Sequence, residues 1–280
     1  MNKTIKRGLI EVHQFHEGDV PIILYPEKKK YRNVPFLVNK HRDLELLFVR
    51  DGKIEMHLDD AVFTATADEI IVANSNVLHN IVPITETVLY DCLLIDKEFC
   101  SRYGFELDKN HIQEIIKNSD LFERINRIKF FMAENYSKYR VAEVTAEILN
   151  LLLVLFGQYS IAVNDKNTYG NREMLEKGLE YIHEHFSEPI DVDTVADYSG
   201  YSKFYFCRRF KEITGCTVNT YINMQRVSHA KELLSRPGSQ VSEVAAECGF
   251  NSVPYFSQIF KKYVRSTPGE YKQNIKKPRQ

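Results

Sequence analysis

Two stretches carry side chains suited to nucleic-acid chemistry. Lys203, Phe204, Cys207, Arg208 and Lys211 recur at a spacing that sets them along one side of a helix, with the apolar pair Phe206 and Phe210 on the other. Asn251, Ser252, Val253, Ser257, Gln258, Lys261 and Lys262 hold the same relation to Phe256 and Phe260. A short helix with such a face fits a B-DNA major groove, its N-terminal half at the base edges and its lysines near phosphates. Catalysis finds no comparable constellation. His13, His16 and Ser75 do not assemble a nucleophile with its base, and no Gly-rich phosphate loop is present, so neither an enzyme nor a cofactor is expected. His183 and His185 lack the i, i+4 spacing of a metal pair.

The elements that must position these residues are written twice. Val192, Val195, Ala196, Gly200 and Tyr201 reappear 49 residues later as Val241, Val244, Ala245, Gly249 and Phe250. Tyr205, Phe206, Phe210, Lys211, Thr217 and Tyr221 reappear 50 residues later as Tyr255, Phe256, Phe260, Lys261, Thr267 and Tyr271. One residue is therefore inserted in the second turn. Each copy predicts a short helix, a break at a glycine and a second helix, with Ser202 and Asn251 at the N-cap positions and Pro254 in a first turn. Charge is segregated in the same direction. Residues 201–280 hold 14 Lys and Arg against 5 Asp and Glu, while the rest of the chain holds 23 against 33. A phosphate-facing module joined to an acidic partner domain has that distribution.

These residues resemble the signature of the AraC/XylS transcription regulators, most clearly Gly249-Phe250-Asn251-Ser252, Tyr255-Phe256-Ser257, Phe260-Lys261-Lys262 and Thr267-Pro268-Gly269-Glu270-Tyr271. The likeness covers residues 173–272, including a linker helix from Tyr221 to Leu234. It implies two recognition helices entering successive major grooves, with Phe204, Cys207 and Arg208 at base-reading positions. It also implies an operator as partner, a homodimer, and RNA polymerase as a further partner of an activator. Two departures stand out: Gln258 replaces a frequent Arg and Arg265 a usual turn Gly, which directs the second module towards phosphate contacts.

A chain of 280 residues is comfortable for two domains, and 44% hydrophobic content supports globular folding. Five cysteines without regular spacing argue against a disulfide framework or a CxxC zinc site, and a reducing, cytoplasmic setting follows as the expectation. The start has no signal-peptide pattern, and no unbroken apolar run of membrane-spanning length occurs, so no membrane is expected as a partner. Between Lys6 and Phe99 the pattern is period two or short apolar runs, as in Leu44–Val49, Ile54–Leu58, Glu69–Ala73 and Val88–Leu94. Arg50-Asp51-Gly52-Lys53 and Asp59-Asp60 supply hairpin turns. The expected fold class is α+β: an N-terminal β-barrel or jelly roll with trailing helices, then an all-α DNA-binding domain.

The barrel resembles a cupin through His41-Arg42-Asp43-Leu44-Glu45, with Gly52 beyond it, and through Asn74 to His79 after a strand. In metal cupins this pattern carries two histidines, a glutamate and a further histidine. Here Asn39 takes the place of the first histidine, leaving His41, Glu45 and His79. Asp68 and Asn76 replace glycines, which alters the turns expected to aim His79. Three readings stand side by side: a polar pocket for a small effector, a divalent metal site serving a cupin enzyme, or ordinary barrel residues. The first is adopted, with no metal. Imidazole and carboxylate pair with sugar hydroxyls, while Phe36, Phe48 and Tyr90 offer ring faces. The sugar itself comes from the resemblance alone, and a non-sugar ligand is the alternative.

Beyond Phe99 the spacing turns helical through Ile112, Ile115, Ile116, Leu121, Ile125 and Ile128. Val144, Ile148, Leu151, Leu152 and Leu155 then form an apolar stripe that either covers the barrel or makes a dimer seam. The expected division is an effector-binding and dimerisation domain over 1–160, a linker over 161–172 and a double helix-turn-helix domain over 173–280.

Overall fold

The computed structural model describes residues 3–7, 10–16, 19–32, 37–59, 61–133, 138–162 and 169–276. Phe36, Asp60 and half of the expected linker, residues 163–168, lie outside them. The chain divides into two compact units, one containing Val38–Asn167 with the N-terminal strands, the other containing Thr168–Gln280. The architecture is α+β, with the strands in the first unit and helices alone among the described elements of the second.

The first unit opens with β1 (Lys3–Arg7) and β2 (Ile10–Gln14), an antiparallel pair, followed by β3 (Ile22–Tyr31), β4 (Leu44–Asp51), β5 (Lys53–Leu58), β6 (Ala61–Thr66), β7 (Ile70–Ala73), β8 (His79–Pro83) and β9 (Thr87–Ile95). Then come α1 (Lys97–Arg102), β10 (Asn110–Ile112), β11 (Ile115–Ile116), α2 (Ser119–Met132), α3 (Arg140–Gln158) and β12 (Ser160–Ala162). One sheet runs β11-β7-β4-β9-β3 and another β6-β5-β8. The β4–β5 turn depends on Gly52, at φ 86, where a Cβ would lie 2.5 Å from the Thr87 carbonyl oxygen.

Alternation along β4 sorts its side chains. Leu44, Leu46 and Phe48 join Ile70, Val72, Leu93 and Ile95 in a core completed by Leu121, Ile125 and Ile128 of α2 and by the inner face of α3. Glu45, Leu47 and Val49 point the opposite way, paired across the ladder with Leu94, Cys92 and Tyr90. Ile112, Ile115 and Ile116, expected in a helix, are instead strand residues: β11 extends the larger sheet by pairing Ile116 with Ile70, a setting that suits β-branched side chains.

The expected dimer seam is corrected here. Val144, Ile148, Leu151, Leu152 and Leu155 are fully buried in the first unit's own core, so they offer nothing to a partner. The helix carries a second apolar stripe on its other side, where Tyr139, Val141 and Leu153 are exposed. Among the described residues α3 alone has the length and composition of a membrane span. Its inner face is packed into the core, and Glu147 near its middle is paired with Arg124 and Arg127 at 3.2 Å each.

The second unit is α4 (Tyr169–His185), α5 (Val192–Ser199), α6 (Lys203–Thr214), α7 (Val218–Leu234), α8 (Val241–Glu247), α9 (Val253–Val264) and α10 (Pro268–Lys276). α4 begins inside the stretch expected as linker. α7 is buried on more than one side: Tyr221 meets Phe210 edge-on, whereas Val227, Ala230, Leu233 and Leu234 belong to the core around Phe256 and Phe260. It thus serves as the shared wall of two small helical modules, and its Arg226 fastens the Phe186 and Glu188 carbonyls at 2.6 and 3.0 Å.

Candidate functional site

Each module turns at a left-handed glycine. Gly200 caps α5 at φ 80 and Gly249 follows α8 at φ 77, where a Cβ would meet the Ser187 carbonyl at 2.5 Å. Recognition helices α6 and α9 then start in register, 50 residues apart, with N-caps Ser202 and Ser252. Asn251, expected at the cap, is one place early, because the inserted residue moves the cap with the helix. Phe206, Phe210, Phe256 and Phe260 are fully buried and anchor the inner faces; burial of each such side chain is worth about 1.5–3 kcal/mol.

The outer faces are open. On α6, Lys203, Phe204, Arg208 and Lys211 are exposed, Phe204 at 79%, and Cys207 is half-buried. The Arg208 guanidinium stands 5.6 Å over the Tyr205 ring, while Lys203 pairs with Asp193 at 2.6 Å. On α9, Asn251, Ser252, Val253, Gln258, Lys261 and Lys262 are exposed and Ser257 is half-buried. Arg265 ends this helix at φ 63, in the conformation Gly215 takes at φ 70 after α6. Both helices therefore carry exposed apolar or polar side chains in the N-terminal half and cations towards the C-terminus, α6 with Lys203 at its start as well, which suits a groove lined by base edges and flanked by phosphates.

A second, largely buried cluster lies in the first unit. His41 precedes β4, Glu45 is on β4 and His79 opens β8. His41 Nε2 and His79 Nε2 each lie 3.0 Å from the same Glu45 oxygen, Oε2. The other oxygen, Oε1, accepts the Cys92 thiol at 3.1 Å. Each imidazole is oriented from behind, His41 Nδ1 lying 3.0 Å from the Asp43 carbonyl and His79 Nδ1 2.9 Å from that of Val77. Asn39 is not aimed as a ligand by its backbone; it forms a bridge that exchanges hydrogen bonds of 2.8 and 2.9 Å with His79. Asp68 and Asn76 adopt φ 65 and 62, the left-handed conformation glycine would supply, so the turns are preserved rather than altered. Asp and Asn are the residues that tolerate this best after glycine.

Electrostatics in the cluster oppose burial and win. Burial alone would push the Glu45 carboxyl up, yet the two imidazoles hold it well below the usual carboxylate range. Burial would likewise lower His79, but Glu45 raises it. Next to them, His13 Nδ1 meets Asp43 at 2.6 Å; against its burial, Asp43 and Glu11 lift His13 to about 9. Burial, then Glu45, pushes the Cys92 thiol well above its ordinary value. Tyr90 is buried on the same face of β9 as Cys92. Phe48 is not: it lies on the opposite face of β4 against Phe122, ring centroids 5.3 Å apart, and is corrected as a ring-stacking partner.

His13, Asp43 and Cys92 were not singled out for this cluster from the sequence. Cys92 had a legible signal, since it stands two residues from Tyr90 and so shares its face of a strand. His13 had none, because the pairing of β2 near residue 40 is a long-range contact.

The second unit is a helix-turn-helix DNA-binding domain. The helix-turn-helix domain family model matches residues 195–274. The chain is 36% identical over 88 residues to the probable transcription factor PqrA of Proteus vulgaris, covering 31% of this chain and 72% of that one. It is 30% identical over 105 residues to the regulatory protein SoxS of Salmonella typhimurium, covering 38% and 98%. The chain belongs to the AraC/XylS family of transcription regulators. Over 92% of its length it also aligns with the structure of ToxT from Vibrio cholerae bound to an unsaturated fatty acid, covering 97% of that chain at 16% identity and a TM-score of 0.43.

Proposed function

We propose that the chain is a sequence-specific activator controlled by a small-molecule effector, acting as a cytoplasmic homodimer that contacts RNA polymerase. Residues 1–160 receive the effector and residues 173–280 hold the operator, with α4 extending that second part back to Tyr169. The observation that carries the reading is the duplication: two recognition helices, each anchored by a buried phenylalanine pair, present an exposed lysine at one equivalent place, Lys211 and Lys261, beside further exposed cations. α6 reads bases through Phe204, Cys207 and Arg208, and α9 adds Gln258 ahead of phosphate contacts from Lys261 and Lys262.

The effector reading rests on Glu45, His41, His79 and Tyr90, which supply acceptors, donors and one ring face to a polar ligand such as a sugar. The exposed stripe of α3, including Ala142, Ala146 and Leu153, is the surface this reading assigns to a second copy. Selection of duplexes from a random pool by the full chain is the test. Enrichment of a site spanning two successive major grooves, repeated once for a dimer, is the expected result. Retention of DNA without any enriched sequence would overturn sequence-specific reading.

A further inference from the structure

We propose that Glu212 is a specificity-determining residue of the first module: its carboxylate holds Arg208 in place for base reading and keeps the arginines beside it from serving phosphates. The inference rests on the base-reading role of Arg208 and adds to it a residue whose charge has the wrong sign for DNA. Glu212 stands one turn beyond Arg208 on α6, and positions i and i+4 share a side of a helix. Its Oε1 lies 3.9 Å from Arg208 Nε, a charge contact too long for a hydrogen bond. Its Oε2 accepts from Arg209 Nη1 at 2.6 Å. Behind Arg208, the Tyr205 ring lies 5.6 Å from the guanidinium carbon. The guanidinium is therefore held along the helix, between a ring face and a carboxylate.

Helix stability does not account for an acid at this place. Glu212 lies in the last turn of α6, at the negative end of the helix dipole, where a cation is favoured. Arg followed by Glu is also the weaker order for an i, i+4 pair, and both side chains are half exposed, so the contact adds little to folding. The duplication supplies a comparison. Fifty residues on, Tyr255 repeats Tyr205, but Gln258, Ile259 and Lys262 stand in the places of Arg208, Arg209 and Glu212. Ile259 packs against the core of its own module, and Lys262 is exposed. The acid is thus found in the copy that carries the arginines and is replaced by a cation in the copy that lacks them.

On DNA the same carboxylate acts in two ways. Phosphates flank every site, operator or not, and attract any cation that can turn to them. A carboxylate within a Debye length of them, about 10 Å, repels them and competes for both arginines. A guanine edge instead offers Arg208 two acceptors in a fixed plane, and a guanidinium already held against Tyr205 and Glu212 gives up less freedom in meeting it. Glu212 therefore weakens contact with random sequence while costing the operator complex little. Specificity is a difference of affinities, and a repulsive element acting on the wrong partner widens it. The general hold on the duplex falls to α9, which has Lys262 where α6 has the acid.

The test compares the full chain with its Glu212→Gln variant on two duplexes of equal length, the one enriched from the random pool and one of random sequence, over a series of salt concentrations. One additional phosphate contact is worth about tenfold in affinity at ~0.1 M salt. Glu212→Gln should therefore bind random DNA about tenfold more tightly, with a salt slope steeper by about 1, and should bind the enriched duplex within about threefold of the parent. Its thermal unfolding should match or exceed the parent's, which separates the binding change from any loss of fold. Glu184→Gln, which removes the same charge from an exposed place on α4, should shift both DNAs by less than about twofold. In an Arg208→Ala background the gain on random DNA should shrink, since one of the two arginines to be released is gone. An unchanged ratio of the two affinities in Glu212→Gln would overturn the inference, as would an equal gain from Glu184→Gln. Equal losses on both DNAs in Arg208→Ala would instead strike the base-reading role itself, so the two failures are distinguishable.

Discussion

The two helix-turn-helix modules share a skeleton and differ where they would touch DNA. α6 presents Phe204 and Arg208 at positions that α9 fills with Pro254 and Gln258, whereas the buried phenylalanines coincide residue for residue. Capping differs too. Ser252 accepts from the Tyr255 amide, while Ser202 makes no side-chain cap bond, and α6 ends at Gly215 where α9 ends at Arg265. Duplication has thus kept what packs and released what faces outward. Packing tolerates little because a lost aromatic leaves a void, whereas an exposed side chain answers only to its ligand.

The largest expected effects probe the shared part. Phe206→Ala and Phe256→Ala should each destabilise the full chain by about 3–5 kcal/mol in denaturant unfolding. A loss below about 1 kcal/mol at either would mean that the two cores are not equivalent. Next comes the reading surface. Arg208→Ala should weaken binding to the selected operator by about 1–3 kcal/mol and spare random DNA, while Lys261→Ala should weaken both alike and reduce the salt slope by about 1. Equal losses on both DNAs for Arg208→Ala would remove its base-reading role and erase the contrast between the modules. The smallest effect lies at the helix end. Arg265→Gly relieves a left-handed arginine and should stabilise by about 0.5–1 kcal/mol after the greater freedom of the unfolded glycine is discounted. A destabilised variant would show that the arginine side chain matters more than its backbone conformation.

Much of this was legible because it repeats locally. Helix spacing, turn glycines and charge locate α5, α6, α8 and α9, and alternation locates β4, β5, β7 and β9. What escaped depended on which of two plausible faces turns inward. α3 has an apolar stripe on each side, and spacing alone does not say that Val144 and Ile148 meet the core while Ala142 and Ala146 remain outside. Phe48 was misplaced against a rule that was available, since it differs from Glu45 by an odd number of residues and so must face away. Ile112 to Ile116 fitted a helix as readily as two strand fragments, and only a partner strand decides such short runs. The substitutions at Asp68 and Asn76 were recognisable, but their effect was conformational and could be judged only from their positive φ.

α7 bears on how this chain could be cut or borrowed. Both modules lean on it, one around Tyr221 and the other around Val227, Ala230 and Leu233. A fragment ending after the first module would carry a wet, sticky flank where the second had been, and a fragment starting at α8 would lack its wall. The unit of exchange in a recombined or truncated gene is therefore the pair, and a lone module would be an aggregation hazard before it was a reader of DNA.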